Sequence, residues 1–507
     1  MSETVSIELQ PLGRRFEVAR GTALQDVLFA HGVEFPCGGH GRCKGCRVRV
    51  VAGELPITAK EREVLNTSEI AAGWRLACCG RADGDLTLDI GQWEETILAD
   101  NSQFAFTPKD GLGVAVDLGT TTLVAQLVDR QTGRVLAVES ALNPQAAYGA
   151  DIMSRVQFGV EPAGREKLRD LIRTAIGGMV ERLQREAGDG GTIQRVAIVG
   201  NTVMHHLFCG LDVTPLSIVP FETDHAGLQS FTAADLGWHA LPSHSRIDFL
   251  PALGSFVGSD ILAGVLATRL HESDAPVGLV DLGTNGEIVV GNRERMLCAS
   301  TAAGPAFEGA RISMGMRAAT GAISEVRVKG DTLTCHVIGN TAPRGICGSG
   351  LVDAVAAGLE LGTIQPTGRL ADGAKEWVLA EPVRLTQGDI RELQLAKAAI
   401  HAGIGLLIEQ WGIQPRELST LYIAGAFGNY INLTSARRIG LIDFDLDRVR
   451  VVGNTALLGA KMALFDEDAN QYAGLLGKID HVPLASDAKF MDAYVDAMTF
   501  PENRSER

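Results

Sequence analysis

Twice in this chain an apolar strand runs into the same turn. Gly113-Val-Ala-Val-Asp117 leads to Leu118-Gly119-Thr120-Thr121, and Val277-Gly-Leu-Val-Asp281 leads to Leu282-Gly283-Thr284-Asn285-Gly286. A returning strand follows each turn, over 122–128 and 287–291, and a third strand over 134–139 extends the first hairpin into a meander. The repeat implies two related half-domains facing each other. Its chemistry is equally restrictive. Backbone N–H groups and hydroxyls of a Gly-Thr turn hold phosphate oxygens, and a strand-ending carboxylate holds Mg²⁺ directly or through water.

Other strands end in the same style. Leu421-Tyr-Ile-Ala-Gly425-Ala426-Phe-Gly428 finishes in small residues, where a flat base could lie against backbone. Val196-Ala-Ile-Val-Gly200-Asn201-Thr202 and Val451-Val-Gly453-Asn454-Thr455 form a second matched pair. Aspartic proteases carry related turns, but these run Asp-Thr/Ser-Gly in secreted all-β chains. Together the five elements resemble the superfamily of actin, hexokinase and the heat-shock chaperone ATPases, whose nucleotide sits between two ribonuclease-H-like halves. The resemblance makes Asp117 and Asp281 the catalytic carboxylates. It makes Gly119, Thr120, Thr121, Gly283, Thr284, Asn285 and Gly286 the phosphate contacts, Gly425, Ala426 and Gly428 the adenosine loop, and the Gly-Asn-Thr pair the start of two hinge helices. Long amphipathic helices over 168–183, with Leu168, Ile172, Ile176, Met179 and Leu183 on one stripe, and over 389–410 fit the same architecture.

The first 95 residues read differently, as an α+β unit. Ser6–Gln10 and Arg15–Ala19 form a hairpin about Pro11-Leu12-Gly13, and Thr22 caps a helix over 23–31. Cys37-Gly-Gly-His-Gly-Arg-Cys43-Lys-Gly-Cys46 leads into a strand over 47–51, and another strand, 86–90, closes the unit. Three cysteines in a glycine-rich loop suit a two-iron cluster. Gly38, Gly39, Gly41 and Gly45 let the loop wrap an anionic core closely, with backbone N–H groups aimed at its sulfurs. The five residues between Cys37 and Cys43 are one more than the plant-type spacing and resemble the adrenodoxin-like branch. A zinc ribbon would need two Cys-x-x-Cys pairs, and only Cys43/Cys46 forms one. The fourth ligand is Cys78 or Cys79. Trp74-Arg75-Leu76-Ala77-Cys78 resembles the ferredoxin stretch in which the cysteine follows Leu-Ala, which favours Cys78. Arg42, Lys44, Arg47 and Arg49 would give the loop a basic collar, either for an acidic redox partner or as solvated charge.

Bulk properties narrow the function class. The 507 residues exceed a single core, and the expected division is a ferredoxin-like domain over 1–95, a linker over 96–111, a first ATPase lobe over 112–272 and a second over 273–507. A formal charge of −15 argues against nucleic acid as the main partner. The chain shows neither an apolar leader nor a span-length apolar run, so a cytoplasmic protein without membrane association is expected. Nine cysteines without an export signal point to ligation or free thiols, not a disulfide framework. His205-His206 sit together after Asn201, but adjacent helical residues diverge by about 100° and make a poor joint ligand.

A ferredoxin fused to such an ATPase resembles the reductive activators of corrinoid-dependent methyltransferases. Asn143-Pro-Gln-Ala-Ala-Tyr-Gly-Ala-Asp151, Thr301-Ala-Ala-Gly-Pro-Ala-Phe-Glu308-Gly, Met314-Gly-Met-Arg-Ala and Ile346-Cys-Gly-Ser-Gly350 carry that resemblance. It implies an α/β protein with a β-grasp ferredoxin domain ahead of a two-lobed actin-like ATPase, carrying a [2Fe–2S] cluster on Cys37, Cys43, Cys46 and Cys78 and binding ATP and Mg²⁺. It also implies ATP-driven reduction of Co(II) cobalamin to Co(I) in a corrinoid protein, with a flavodoxin or ferredoxin reductase as electron donor, and it allows a homodimer. Longer members carry a middle domain, for which the connector here is too short. Three other readings remain open. They are a small-molecule kinase with a fused ferredoxin, an activator of a 2-hydroxyacyl-CoA dehydratase or benzoyl-CoA reductase, and a nucleotide-gated electron shuttle for another metalloenzyme. The second needs a cysteine pair inside the ATPase, which Cys209, Cys298, Cys335 and Cys347 do not offer.

Overall fold

The computed structural model describes residues 3–10, 14–28, 33, 41, 46–65, 67–89, 104, 106–120, 122–149, 151–188, 191–219, 221–223, 225–283, 285–309, 311–316, 318, 321–330, 332–425, 431–466, 470–484 and 487–502. Several expectations therefore lie outside the described residues: Cys37, Cys43, the turn at 11–13, most of the linker, Thr121, Thr284, Ala426 and Gly428.

The N-terminal unit is a five-stranded sheet. Strands β1 (Thr4–Gln10) and β2 (Arg14–Ala19) form the expected hairpin. Helix α1 spans Leu24–Leu28, with Thr22–Ala23 as a short bridge strand in place of the expected first turn of helix. Thr22 Oγ1 donates to the Ala19 carbonyl and so does not cap α1. Strand β3 (Arg47–Ala52), helix α2 (Ala59–Val64), β4 (Trp74–Leu76) and β5 (Leu86–Asp89) complete the unit in the order β2-β1-β5-β3-β4. Alternation in β1 sends Ile7 and Leu9 to a core shared with Leu24, Leu28, Val48 and Leu88, all fully buried.

The first of the two repeated lobes is a six-stranded sheet. Its strands are β6 (Leu112–Leu118), β7 (Thr122–Asp129), β8 (Val135–Leu142), β9 (Ile193–Gly200), β10 (Gln229–Thr232) and β11 (Arg246–Phe249), in the order β8-β7-β6-β9-β11-β10. Helix α3 (Pro162–Ala187) starts with proline in its first turn and buries Leu168, Ile172, Ile176, Met179 and Leu183 against β7 and β8. Each such side chain contributes about 1.5–3 kcal/mol on burial. Helix α4 (Thr202–Cys209) follows β9, and α5 (Ser259–Ala267) follows β11.

The second lobe repeats the plan with β12 (Val277–Leu282), β13 (Gly286–Gly291), β14 (Met296–Thr301), β15 (Thr420–Ala424) and β16 (Val449–Gly453), plus β17 (Ile479–His481) at the far edge. Its order, β16-β15-β12-β13-β14-β17, superposes β6-β7-β8 on β12-β13-β14 and β9, β11 on β15, β16, with the same parallel and antiparallel pairings. Helix α6 (Gln387–Trp411) lies against β13 and β14, with a Thr386/Asp389 capping box at one end and left-handed Gly412 at the other.

The topology corrects one expectation. Gly200-Asn201-Thr202 and Gly453-Asn454-Thr455 are not equivalent positions. The first follows β9, whose counterpart β15 leads to Gly425. The second follows β16, whose counterpart β11 leads to Gly258-Ser259-Asp260. Only one of the two begins a helix that crosses between lobes. Helix α7 (Thr455–Ala463) packs on α5 and on β6 and β9 of the first sheet, whereas α4 stays against α3. Small residues let α5 and α7 approach closely: a Cβ on Gly459 would stand 2.2 Å from the Ala263 carbonyl oxygen.

Candidate functional site

Two candidate centres emerge, one in each part of the chain. The first lies at the end of β3 and β4. Their antiparallel register pairs Arg47 with Leu76, and Ala77 N–H donates to the Cys46 carbonyl at 2.9 Å. That register carries Cys78, in the tight turn Ala77–Cys79, onto buried Cys46, with the two Sγ atoms 3.2 Å apart. Two thiolates on one tetrahedral metal with bonds of about 2.3 Å would stand about 3.7 Å apart. The pair therefore fits one metal of a cluster after a small adjustment. Gly41, the described residue of the glycine-rich loop, adopts φ +67°, a conformation that favours glycine. The basic collar is only partly as expected. Arg47 is buried, pairs with Glu69 at 2.5 Å and stacks 5.1 Å from the Trp74 ring, while Arg49 pairs with Asp89. Arg47 thus braces the sheet beside Cys46; Arg42 and Lys44 lie outside the described residues.

The second centre is the cleft between the repeated turns. In the first turn Gly119 N–H donates to the Thr122 carbonyl at 3.0 Å, and a Cβ on Gly119 would stand 2.6 Å from that oxygen. Three asparagines fix this turn. Asn143 Nδ2 donates to the Gly119 carbonyl, Asn201 Nδ2 to Thr120 Oγ1 and Asn454 Nδ2 to Asp117 Oδ2, each at 3.0 Å. Asn201 and Asn454 also cap α4 and α7, so one side chain ties each helix start to the loop. The Asn454 bond joins residues from the two halves of the sequence.

In the second turn Gly283 N–H donates to the Asn285 carbonyl at 3.2 Å. The β12/β13 register sets Asp281 directly opposite Glu287. Gly286 faces inward: its carbonyl accepts from Thr301 Oγ1, and a Cβ there would meet Ile400 at 2.8 Å. It supports the turn from behind. Gly425, with φ +92°, lies at the same carboxylate, since its Cβ would stand 2.6 Å from Asp281 Oδ1. The described part of the expected adenosine loop therefore borders the Asp281 carboxylate.

Two further carboxylates, absent from the sequence expectations, belong to this cleft. Asp260 sits in the first turn of α5, and Glu287 is the second residue of the returning strand β13. Burial and the charge of Asp281 and Asp117 push the Asp260 carboxyl up to about 7. Burial and Asp117 push Asp281 up to about 7. Glu287 is raised well above the ordinary range by burial and by Asp260 and Asp281, and Asp117 is raised by burial against the Asn454 hydrogen bond. The neighbouring charges that raise Asp260, Asp281 and Glu287 are all carboxylates, so among the described residues these side chains form an acidic well. Among the described residues no three His, Cys, Asp or Glu side chains converge tightly enough to ligate an ion directly. The well suits a cation that keeps its waters and shares phosphate oxygens, the usual state of Mg²⁺. Reading the hairpin register forward from Asp281 finds Glu287. Aligning Gly258-Ser259-Asp260 with Gly453-Asn454-Thr455 finds Asp260.

His205 and His206 are core residues. His206 Nδ1 bonds the Thr202 carbonyl at 2.8 Å and its Nε2 bonds Thr223 Oγ1 at 2.9 Å, while His205 Nε2 bonds the Gly227 carbonyl at 3.1 Å. No described helix is long and apolar enough to cross a membrane.

Known proteins match along the whole chain. A model described as the 2Fe-2S iron-sulfur cluster binding domain matches residues 7–83. One for the RACo middle region matches 112–273, and one for the C-terminal domain of RACo, the ASKHA domain, matches 276–507. The segment read as the first lobe is thus what the family describes as its middle region. The corrinoid activation enzyme RamQ of Eubacterium limosum is 36% identical over 77% of this chain and 70% of its own. The [Co(II) methylated amine-specific corrinoid protein] reductase of Methanosarcina barkeri is 27% identical over 76% of this chain and 77% of its own. A solved structure, "Reductive activator for corrinoid,iron-sulfur protein", is 28% identical, covers 98% of both chains and has a TM-score of 0.70.

Proposed function

This chain belongs to the RACo family of corrinoid activators, and from that premise we propose that it spends ATP to pass one electron to the Co(II) of a corrinoid protein. The observation that carries this reading is the pairing, in one chain, of the Cys46/Cys78 thiol pair with a two-turn nucleotide cleft. Cys37, Cys43, Cys46 and Cys78 would hold a [2Fe–2S] cluster, which supplies the electron when bound and leaves the cobalt as Co(I). Co(I) in a corrinoid is a far stronger reductant than a typical cluster of this kind, so the transfer runs uphill. Each tenfold in its equilibrium constant is about 59 mV. ATP offsets this only by binding unequally to the states before and after the change.

The residues supply the means. The N–H groups of the Gly119 and Gly283 turns, with the hydroxyls of Thr120, Thr121 and Thr284, would hold the phosphates. Asp281 and Asp260, pushed up to about 7, would orient hydrated Mg²⁺ and accept the proton of the attacking water. On this reading the general base would be Asp281 or Asp260. The Asn454–Asp117 bond would transmit closure, because it links the α7 start to the first turn. Closure on Mg·ATP would reposition the docked corrinoid protein and alter its cobalt ligation, and hydrolysis would release it.

The test mixes pre-reduced protein with Mg·ATP and a Co(II)-corrinoid protein and follows Co(I) by absorption. Co(I) is expected with ATP and not without it. No Co(I) with any corrinoid partner, despite an intact cluster and active hydrolysis, would sink the reading. Phosphorylation of a small molecule that survives loss of the cluster would indicate a kinase.

A further inference from the structure

Cys79 follows the proposed ligand Cys78 and has no part in the reading above. Its placement is specific. The Cys79 Sγ lies 3.9 Å from Cys78 Sγ, within the range of a sulfur hydrogen bond. A Cβ on Gly41 would stand 2.8 Å from the same Cys79 Sγ, so Gly41 packs directly on this sulfur. Behind it is a rigid frame. Glu61, 1% exposed, accepts from Leu76 N–H at 2.7 Å, Thr58 N–H at 2.7 Å and Thr58 Oγ1 at 2.8 Å. Thr58 Oγ1, which donates to Glu61, is also within hydrogen-bonding reach of Cys79 and is the other polar neighbour of this sulfur. An ordinary thiol is protonated near neutral pH. Between such a thiol and a metal-bound thiolate, the thiol is the donor of the pair.

We propose that Cys79 is a positioning residue of the cluster, donating its S–H to Cys78 Sγ and seating the loop at Gly41, and so sets the reduction potential without being a ligand. No bond to hydrogen breaks; the proton stays on Cys79. Hydrogen bonds to cluster sulfurs stabilise the more negative, reduced state and raise the potential. The inference rests on Cys78 being the ligand, and the test separates the two.

Midpoint potentials and EPR spectra are measured on the full-length, cluster-loaded wild type and on Cys79→Ala, Cys79→Ser and Cys78→Ser. Cys79→Ala is expected to keep the [2Fe–2S] spectrum while its one-electron equilibrium constant falls about tenfold, a potential about 59 mV lower. Cys79→Ser keeps a donor and is expected within about threefold of wild type on the same scale. Cys78→Ser is expected to lose or visibly alter the spectrum. A Cys79→Ala potential equal to wild type overturns the donor role and leaves the ligand assignment standing. If Cys79→Ala holds no cluster, Cys79→Ser decides: a tenfold or greater fall there also overturns the donor role. Loss of the cluster in both Cys79 variants, with a wild-type spectrum in Cys78→Ser, overturns the ligand assignment as well.

Discussion

The first and second Asp-Leu-Gly-Thr turns occupy equivalent places in duplicated sheets, yet their surroundings differ. Asp117 faces Val124 across its hairpin and accepts from Asn454, while neighbouring Thr120 and Gly119 are held by Asn201 and Asn143. Asp281 faces Glu287, and its carboxylate has no hydrogen-bond donor among the described residues. Like charges set opposite on a strand pair cost stability. An uncovered carboxylate with a second one opposite is what a cation-binding position looks like before the cation arrives. Duplication thus produced a fixed turn and an available one: on the proposed reading the first would set geometry and the second would do the chemistry.

Four outcomes would break or sharpen that contrast. The largest should come from Asp281→Asn, which removes the available carboxylate. ATP hydrolysis should fall about 10²–10³-fold, the scale of losing one preorganised electrostatic group, with the cluster spectrum unchanged. A fall of less than threefold would deny the second turn its role.

Next comes pH. With Asp281 and Asp260 pushed up to about 7, Mg²⁺ binding must displace protons below that value. Apparent Mg·ATP affinity, read by calorimetry, should rise steeply from pH 6 to 7 and level off above pH 8, by about tenfold per unit for each proton released. The sign follows from the raised carboxyls: acid neutralises the groups that hold the cation. A flat profile would mean that these carboxylates are not used.

Asn454→Ala should act more mildly. It uncaps α7, at a cost of about 1 kcal/mol, and frees Asp117, so the melting temperature should drop by a few degrees and turnover by about tenfold. An equal effect from Asn454→Ala and Asp281→Asn would erase the distinction between the turns. The smallest effect belongs to Glu287→Gln. Burial and the neighbouring Asp260 and Asp281 carboxylates raise Glu287 well above the ordinary range, which favours its neutral form. Hydrolysis at pH 7 should change by less than about threefold, below 1 kcal/mol in barrier.

Much of this was legible in the sequence. Both hairpins, the two long helices and the β1/β2 hairpin lie where apolar periodicity and turn residues put them. The Cys46/Cys78 proximity was expected only from the resemblance to ferredoxins; its cause, the direct pairing of the strands flanking those cysteines, appears in the structure. Equivalence was less legible. Gly-Asn-Thr occurs twice, but the shared letters reflect the common need of a helix start for a capping amide, and topology pairs each copy with a different segment. Asp260 was hidden for the related reason that a carboxylate in the first turn of a helix looks like ordinary dipole compensation. Glu287 was hidden because its partner is defined by strand register, which the alternation of an almost wholly buried strand does not mark.

The most direct measurement follows Co(I) formation by the wild type and by Asp281→Asn, each with its cluster fully reduced beforehand and mixed with Mg·ATP and a Co(II)-corrinoid protein. The wild type should form Co(I) as its cluster is oxidised, while Asp281→Asn, with the same reduced EPR signal, should form almost none. Equal Co(I) from both proteins would contradict the claim that nucleotide held at the second turn drives the electron to cobalt.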